Sequence, residues 1–236
     1  MTERHTIPVA DDESVVAVHH EADADDWLVF CHGFLSDKSG SYEERCERAV
    51  VEGYNAIRFD FRGCGESDGA FIDQNLSTRI ADLQAVVDYF EVPSYTVFGS
   101  SFGGKTAFHA AVDDDRIEAI ITRAPVTYNR AFAPAREAVD SAGVYQYDED
   151  YAIDERFFED FDTYAFADVT ECLDVPVAVF HGREDASVPL SDSLEAVGEL
   201  AADAFLQAYR GEGHRFSESA EDRLREQTFD WLARTR

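Results

Sequence analysis

Residues 99–106 read Gly-Ser-Ser-Phe-Gly-Gly-Lys-Thr and follow the apolar run Tyr95–Phe98. Two chemistries fit this stretch. As Gly99-x-Ser101-x-Gly103 it is a sharp strand-to-helix turn that lifts the Ser101 hydroxyl above a sheet, with glycines where side chains would clash. As Gly99-x-x-x-x-Gly104-Lys105-Thr106 it is a loop whose amides cradle a polyphosphate, while Lys105 and Thr106 serve phosphate and magnesium. Both patterns sit where a strand meets a helix, so the rest of the chain has to arbitrate. A serine nucleophile at such a turn needs an acid and then a histidine further along. Asp185 follows the apolar run Val177–Phe180, in His181-Gly182-Arg183-Glu184-Asp185. His214 stands in Gly211-Glu212-Gly213-His214-Arg215-Phe216. Both fall beyond strand ends, on the side where parallel sheets build their sites. The phosphate loop needs a strand ending in a magnesium-binding acid, a role open only to Asp60 after Phe59. Such a loop also usually follows the first strand, whereas about three strands precede this one. The pattern therefore favours Ser101 as nucleophile, His214 as base and Asp185 as its orienting acid.

Each of the three has rivals. Ser100 adjoins Ser101 but does not satisfy the spacing. Glu184 adjoins Asp185. His5, His19 and His20 come too early, and His109 lies inside the helix that follows the turn, about two turns past Ser101, where it packs or faces solvent. His32 and His181 precede glycines at strand ends and are expected to shape loops. Lys105 is rare in kind, since only Lys38 and Lys105 are lysines among 20 basic residues. At a helix N-terminus its charge gains nothing from the dipole, and pairing with nearby carboxylates is the expectation.

The elements that would hold these residues alternate. Apolar runs at 15–19, 28–31, 56–61, 95–99, 119–122, 177–180 and 204–209 read as strands. Helical patterns cover 42–52, 76–90, 102–112, 191–202 and 217–233. Leu76, Ile80, Leu83, Val87 and Phe90 recur at three- or four-residue steps and define one helix face. Buried strands alternating with helices imply an α/β fold: a mostly parallel, doubly wound sheet covered on both faces. Between Val126 and Leu173 the rhythm breaks. That stretch carries ten Phe and Tyr with twelve acids and no clear strand. It reads as a small inserted cap over 126–172 within a single domain spanning 1–236, its aromatics either lining a pocket or fixing the insertion to the main body. Arg62-Gly63-x-Gly65 reads as a tight loop fixed by Asp60, Arg62, Glu66 and Ser67.

Composition narrows the partners. With 49 Asp+Glu against 20 Lys+Arg the formal net charge is −29. Such a chain repels nucleic acid, whose binding requires cations to neutralise phosphates. No apolar run approaches the ~18 residues of a membrane span, and residues 1–15 lack a basic-then-apolar leader, so the expectation is a cytoplasmic protein. An acid-rich, lysine-poor surface suits concentrated salt, where the Debye length falls to ~3 Å and self-repulsion is screened. A halophilic protein is therefore expected. Cys31, Cys46, Cys64 and Cys172 form no zinc-like spacing and read as buried free thiols. No metal or organic cofactor is expected. Oligomeric state is not encoded in these patterns.

Four motifs in order give a resemblance from Trp27 to Trp231: His32-Gly33-Phe34, Asp60-Phe61-Arg62-Gly63-Cys64-Gly65-Glu66-Ser67, the Ser101 turn, and the Asp185/His214 pair. The chain resembles the α/β-hydrolases, most nearly the small esterases of the cinnamoyl/feruloyl-esterase type, which carry an HGF loop and a small insertion. The elbow departs from many of these in having Ser100 where they have His. The resemblance implies an oxyanion hole made by the backbone N–H groups of Phe34 and Phe102. It also implies a small acyl ester as substrate, cleaved through an acyl-enzyme. A thioesterase, acyltransferase or small peptidase would use the same triad. A nucleotide-binding protein on Gly99–Thr106 and a non-catalytic binding protein are the readings from other classes.

Overall fold

The computed structural model describes residues 1–10 and 12–235. Ten strands and eight α-helices alternate among these residues: β1 (Thr2–Pro8), β2 (Ser14–His20), β3 (Asp26–Cys31), α1 (Ser41–Val51), β4 (Tyr54–Phe59), α2 (Leu76–Tyr89), β5 (Tyr95–Ser100), α3 (Phe102–Asp113), β6 (Ile117–Arg123), α4 (Ala133–Ala142), β7 (Val144–Gln146), β8 (Ala152–Asp154), α5 (Glu155–Phe161), α6 (Phe166–Cys172), β9 (Val177–Gly182), α7 (Leu190–Glu199), β10 (Ala204–Tyr209) and α8 (Glu218–Thr235). Eight strands form one sheet in the order β1-β2-β4-β3-β5-β6-β9-β10. From β4 to β10 every neighbour is parallel; β1 and β2 add an antiparallel edge. The α/β-hydrolase architecture expected from the sequence is the one observed.

The physical basis is burial on both faces. Every residue of β4, β5 and β9 is buried, so these strands cannot alternate polar and apolar and need helices on each side. One core cluster, with Val29, Ile57, Val97 and Ile120, lies between the sheet and α2–α3. A second, with Phe30, Phe98, Phe180 and Leu224, lies between the sheet and α1–α8. Helix α2 starts where Asn75 and Thr78 cap each other: Thr78 N–H donates to Asn75 Oδ1 at 2.9 Å, and Asn75 N–H to Thr78 Oγ1 at 2.8 Å. That reciprocal cap satisfies two otherwise orphaned donors.

Register then sets the site. Cys31 pairs with Gly99, Ser100 with Arg123, and Arg123 with Phe180. The C-terminal ends of β3, β5, β6 and β9 therefore lie side by side. The chain winds from β3 to β4 in one direction and from β3's other side onward through β5 in the other. The crevice at this switch is where an open α/β sheet binds ligands.

Three sequence expectations change. Strand β1 carries no apolar run, because it is an edge strand in which only Ile7 is buried. The stretch after β6 is an inserted helical region, yet it does contain strands: β7 and β8 pair as a short hairpin. Its aromatics serve mainly as a third core, where Phe157, Phe158 and Phe161 pack with Phe34, Phe102 and Phe71. Cys31, Cys46 and Cys64 are buried as expected, but Cys172 at the end of α6 is exposed. Among the described residues no helix is long and apolar enough to cross a membrane.

Candidate active site

The turn between β5 and α3 holds Ser101 at φ 54°, ψ −117°. A serine in this region is strained by about 1–3 kcal/mol and persists only where its surroundings dictate it. They do so here through four anchors. Ser101 N–H donates to Arg123 O at 2.9 Å, and Ser101 O accepts from Gly104 N–H at 2.9 Å and Val126 N–H at 3.0 Å. The fourth is close packing: a Cβ on Gly103 would stand 2.2 Å from Cys31 O, and one on Gly99 2.3 Å from Gly103 O. The two glycines of the motif thus let α3 press against the ends of β3 and β5.

Around Ser101 the three expected side chains meet. His214 Nε2 lies 3.0 Å from Ser101 Oγ, and His214 Nδ1 lies 2.8 Å from Asp185 Oδ2. The Asp185 side chain is wholly buried and the His214 side chain is about a quarter exposed, at 23%. The second Asp185 oxygen accepts Ser187 N–H at 2.8 Å and Val188 N–H at 2.9 Å. Burial alone pushes the Asp185 carboxyl up, but the hydrogen bonds from His181, His214 and Val188 outweigh it and hold it well below the usual carboxylate range. Asp185 is therefore an ionised acceptor facing Nδ1–H, which leaves Nε2 free to accept the Ser101 proton.

The rivals have other work. Glu184 accepts Gly211 N–H at 2.7 Å and so pins the loop that carries His214. Ser100 points into the core, 3.5 Å from Arg45 Nη1. His181 lies with Nδ1 at 2.8 Å from Ser193 Oγ and Nε2 at 2.9 Å from Val188 O, also 3.3 Å from Asp185 Oδ2. It braces the acid loop. His32 accepts Phe61 N–H on Nε2 at 3.1 Å, so its Nδ1–H donates to Gly33 O at 2.7 Å. Burial holds its pKa down, to about 3, so the ring stays neutral in that role.

Lys105 corrects two expectations. It is fully buried and forms no ion pair among the described residues. Its Nζ donates to Tyr164 O at 2.9 Å, lies 3.3 Å from His109 Nε2, and stands 4.9 Å from the centre of the Phe161 ring. The first turn of α3 packs under the inserted helical region, so the side chain has no route to a carboxylate at the surface. Nor can it reach a phosphate, and Thr106 donates to Phe102 O within the helix. The polyphosphate arrangement is not formed.

One residue escaped the sequence reading. Arg79 on α2 is fully buried, and its guanidinium reaches the carbonyls of His32 at 3.2 Å, Gly33 at 3.4 Å and Phe34 at 3.3 Å. Its Nε donates to Gln74 at 2.6 Å, and the Phe61 ring lies beneath it at 4.4 Å. Gathering three successive carbonyls on one cation fixes the loop's peptide planes. The backbone N–H groups of Phe34 and Phe102 make no hydrogen bond among the described residues. A Cβ on Gly33 would lie 3.5 Å from Ser101 Cβ, so this loop runs alongside the serine. The signal in the sequence was an arginine between Leu76, Ile80 and Leu83, on the apolar side of its helix.

A cavity of about 890 Å³ opens over Ser101 and His214. Phe34, Val126, Phe132, Tyr147 and Val188 line one part, and Tyr42, Arg123, Arg215, Phe216 and Glu221 another. Among the described residues no group of three or more His, Cys, Asp or Glu is arranged to hold a metal ion.

The sequence model of the hydrolase family described as serine aminopeptidase, S33, matches residues 22–142, half of the chain, including the His32 loop and the Ser101 turn. The chain belongs to this family. It is a hydrolase of the α/β-hydrolase superfamily. It is similar to the human mitochondrial palmitoyl-protein thioesterase ABHD10, 26% identical over 223 residues covering 87% of this chain and 72% of the relative. Among solved structures it is similar to a hydrolase of Agrobacterium vitis S4, with 25% identity, TM-score 0.83 and coverage of 97% and 98% of the two chains. It is also similar to Est1E of Butyrivibrio proteoclasticus with ferulic acid bound, at 21% identity, TM-score 0.84 and coverage of 97% and 99%.

Two expectations are corrected by these similarities. The resemblance reaches the superfamily but does not single out the feruloyl-esterase type, because the relatives include a thioesterase as well as esterases. The cytoplasmic expectation does not stand, because the five mammalian relatives that match over 87% of the chain are mitochondrial proteins. Fold and composition do not encode a compartment, and a leader pattern missing from one stretch is no evidence of location.

Proposed function

We propose that the protein is a serine hydrolase that cleaves small carboxylic esters through an acyl-enzyme. Ser101 is the nucleophile, His214 the general base and then acid, and Asp185 the group that orients His214 and offsets its charge. The observation that carries this reading is the unbroken chain of hydrogen bonds from Ser101 Oγ through His214 to Asp185 at 3.0 and 2.8 Å. In the first half-reaction Ser101 Oγ bonds to the substrate carbonyl carbon and its proton passes to His214 Nε2. The carbonyl oxygen becomes an oxyanion facing the N–H groups of Phe34 and Phe102, at the N-terminus of α3. The tetrahedral adduct collapses as the leaving oxygen takes the proton from His214. Water, deprotonated by His214, then cleaves the acyl-enzyme.

The cap over 126–172 is read as the roof of the substrate cavity. Its aromatics beside Phe34 favour an apolar acyl or aryl group, and 890 Å³ is room for a small-molecule ester. A thioester is the second reading, favoured by the 26% identity to a palmitoyl-protein thioesterase. Salt adaptation belongs to the same proposal and rests on the acidic surface.

Labelling with a fluorophosphonate in molar KCl tests the reading. A single adduct mapped by mass spectrometry to Ser101 is expected. An adduct elsewhere, or none on protein shown folded by circular dichroism, would overturn it. A panel of esters and thioesters of rising chain length then separates the two substrate classes.

A further inference from the structure

The cavity over Ser101 is chemically two-sided, and the sides are fixed by which loop supplies them. Phe34 touches Phe132 and Tyr147 at ring distances of 5.3 and 5.7 Å and forms an aromatic wall next to the His32–Phe34 loop. On the other side, residues 215 and 216 continue directly from His214. The Phe216 ring lies 5.7 Å from the Arg123 guanidinium carbon, and Arg123 Nη1 donates to Glu221 Oε1 at 2.8 Å. Glu221 is also held by Arg45 at 2.6 Å. Two guanidiniums share one carboxylate, so the group carries one excess positive charge, with Arg123 and Glu221 on the cavity and Arg45 buried behind them.

Neither arginine on the cavity is used up by the protein. Among the described residues Arg123 Nε is buried without a partner, and Nη1 alone of that guanidinium is bonded. Arg215 is exposed on the cavity and makes no hydrogen bond or ion pair among the described residues. In a chain of net charge −29, where acids outnumber bases by 49 to 20, an arginine with no carboxylate beside the base of a triad needs an account. Asp37 also lines the cavity; Ser39 N–H holds its Oδ1 at 2.7 Å and leaves its negative charge in place, so Arg215 faces an acid on the cavity without pairing with it.

The side of the substrate follows from proton transfer. His214 must protonate the leaving oxygen, so the leaving group lies toward His214 and the residues after it. We propose that the Arg215–Arg123 side of the cavity binds an anionic group, a carboxylate or phosphate, on the leaving-group portion of the substrate. A guanidinium matches either anion with paired, charge-assisted hydrogen bonds. Phe216 and Tyr42 would flank an aromatic or aliphatic spacer. This inference rests on the hydrolase reading above and narrows its substrate class to esters of anionic alcohols or phenols.

The test compares butyrate esters of 4-hydroxybenzoate, 4-hydroxyphenyl phosphate and the neutral 4-hydroxybenzamide, at one KCl concentration. Each kcat/KM is normalised to the ester's own hydroxide-catalysed rate. The expected result is a preference of about tenfold for at least one anionic ester over the amide. Arg215→Glu should abolish or invert that preference. Arg210→Glu makes the same charge change at an exposed arginine outside the cavity and should leave the preference intact. Hydrolysis of all three esters without an anionic preference, or a preference that survives Arg215→Glu, would overturn the anion site. Calorimetry on Ser101→Ala keeps the two readings apart. Tighter binding of an anionic ester than of the amide supports the anion site even if the wild type hydrolyses nothing, an outcome that would sink only the hydrolase reading. Equal binding of all three overturns the anion site.

Discussion

At Ser101, the proposed nucleophile, the backbone is held at φ 54°. The strain and the chemistry can be separated by substitution. Ser101→Ala keeps the strained geometry and removes the oxygen, so turnover should fall by roughly 10⁴-fold or more with folding retained. Ser101→Gly removes the strain as well and should raise the urea midpoint, corresponding to about 1 kcal/mol or more. Asp185→Asn puts a donor where His214 Nδ1–H donates, and should leave slow residual turnover, down roughly 10³–10⁴-fold. Arg79 has a different signature. Its guanidinium gathers the carbonyls of His32, Gly33 and Phe34, with Gln74 on Nε, and among the described residues it has no carboxylate partner in hydrogen-bond reach. Arg79→Lys keeps the charge but cannot span three carbonyls. It should lower kcat by about 10²-fold with KM little changed, as expected when one oxyanion donor is mis-aimed. An equal rise in KM with kcat unchanged would assign Arg79 to loop stability alone.

Among the elements, α3 does two jobs. Its first residue borders the serine, and its buried face carries Lys105 against the inserted helical region. Burial lowers the Lys105 pKa to about 7, with Asp168 opposing the shift. His109 faces the same Nζ and is itself pushed down to about 3 by burial and then by Lys105, so it stays neutral there. The unfolded chain, where lysine titrates near 10.5, therefore binds more protons than the fold between pH 7 and 10.5. Stability contributed by this site rises with pH through that window and is lowest below it, where the buried amine must be charged. Lys105→Met removes the titration. The melting temperature of the wild type minus that of Lys105→Met should climb from pH 7 to pH 10. A flat difference would mean that Lys105 keeps an ordinary pKa.

Over the whole molecule, charge dominates. Many arginines are spent on acids at the surface, as in Arg116 with Asp88, Arg130 with Glu195 and Arg156 with Asp73. Such exposed pairs contribute about 0–1 kcal/mol each, and they leave 29 negative charges uncompensated. Self-repulsion of that size is screened only when the Debye length is short. The melting temperature should rise steeply with KCl up to molar concentration. A temperature independent of salt would show that the charge carries no salt adaptation.

The sequence alone determined what depends on local pattern. Buried strands without alternation required a sheet covered on both faces. Glycines flanking Ser101 required a tight turn, and the order Ser, Asp, His placed three loops at strand ends. What it left open depends on contacts distant in the chain. Glu184 and Asp185 are neighbours of similar chemistry, and only the loop that turns Asp185 to His214 and Glu184 to Gly211 separates them. Lys105 read as a partner for nearby carboxylates because its own helix gave it no reason to be buried; the helices after β6 buried it against Tyr164 and Phe161. Arg79 lay unremarked on an apolar helix face because its partners are carbonyls, which no side-chain pattern records. The insertion after β6 was legible as a break in rhythm, but its β7–β8 hairpin was not, since strands of three residues carry too few side chains to show a period. Tertiary structure alone also decided that Arg123 and Arg215 line one cavity, because strand register and the His214 loop bring to it residues that lie 92 positions apart in the chain.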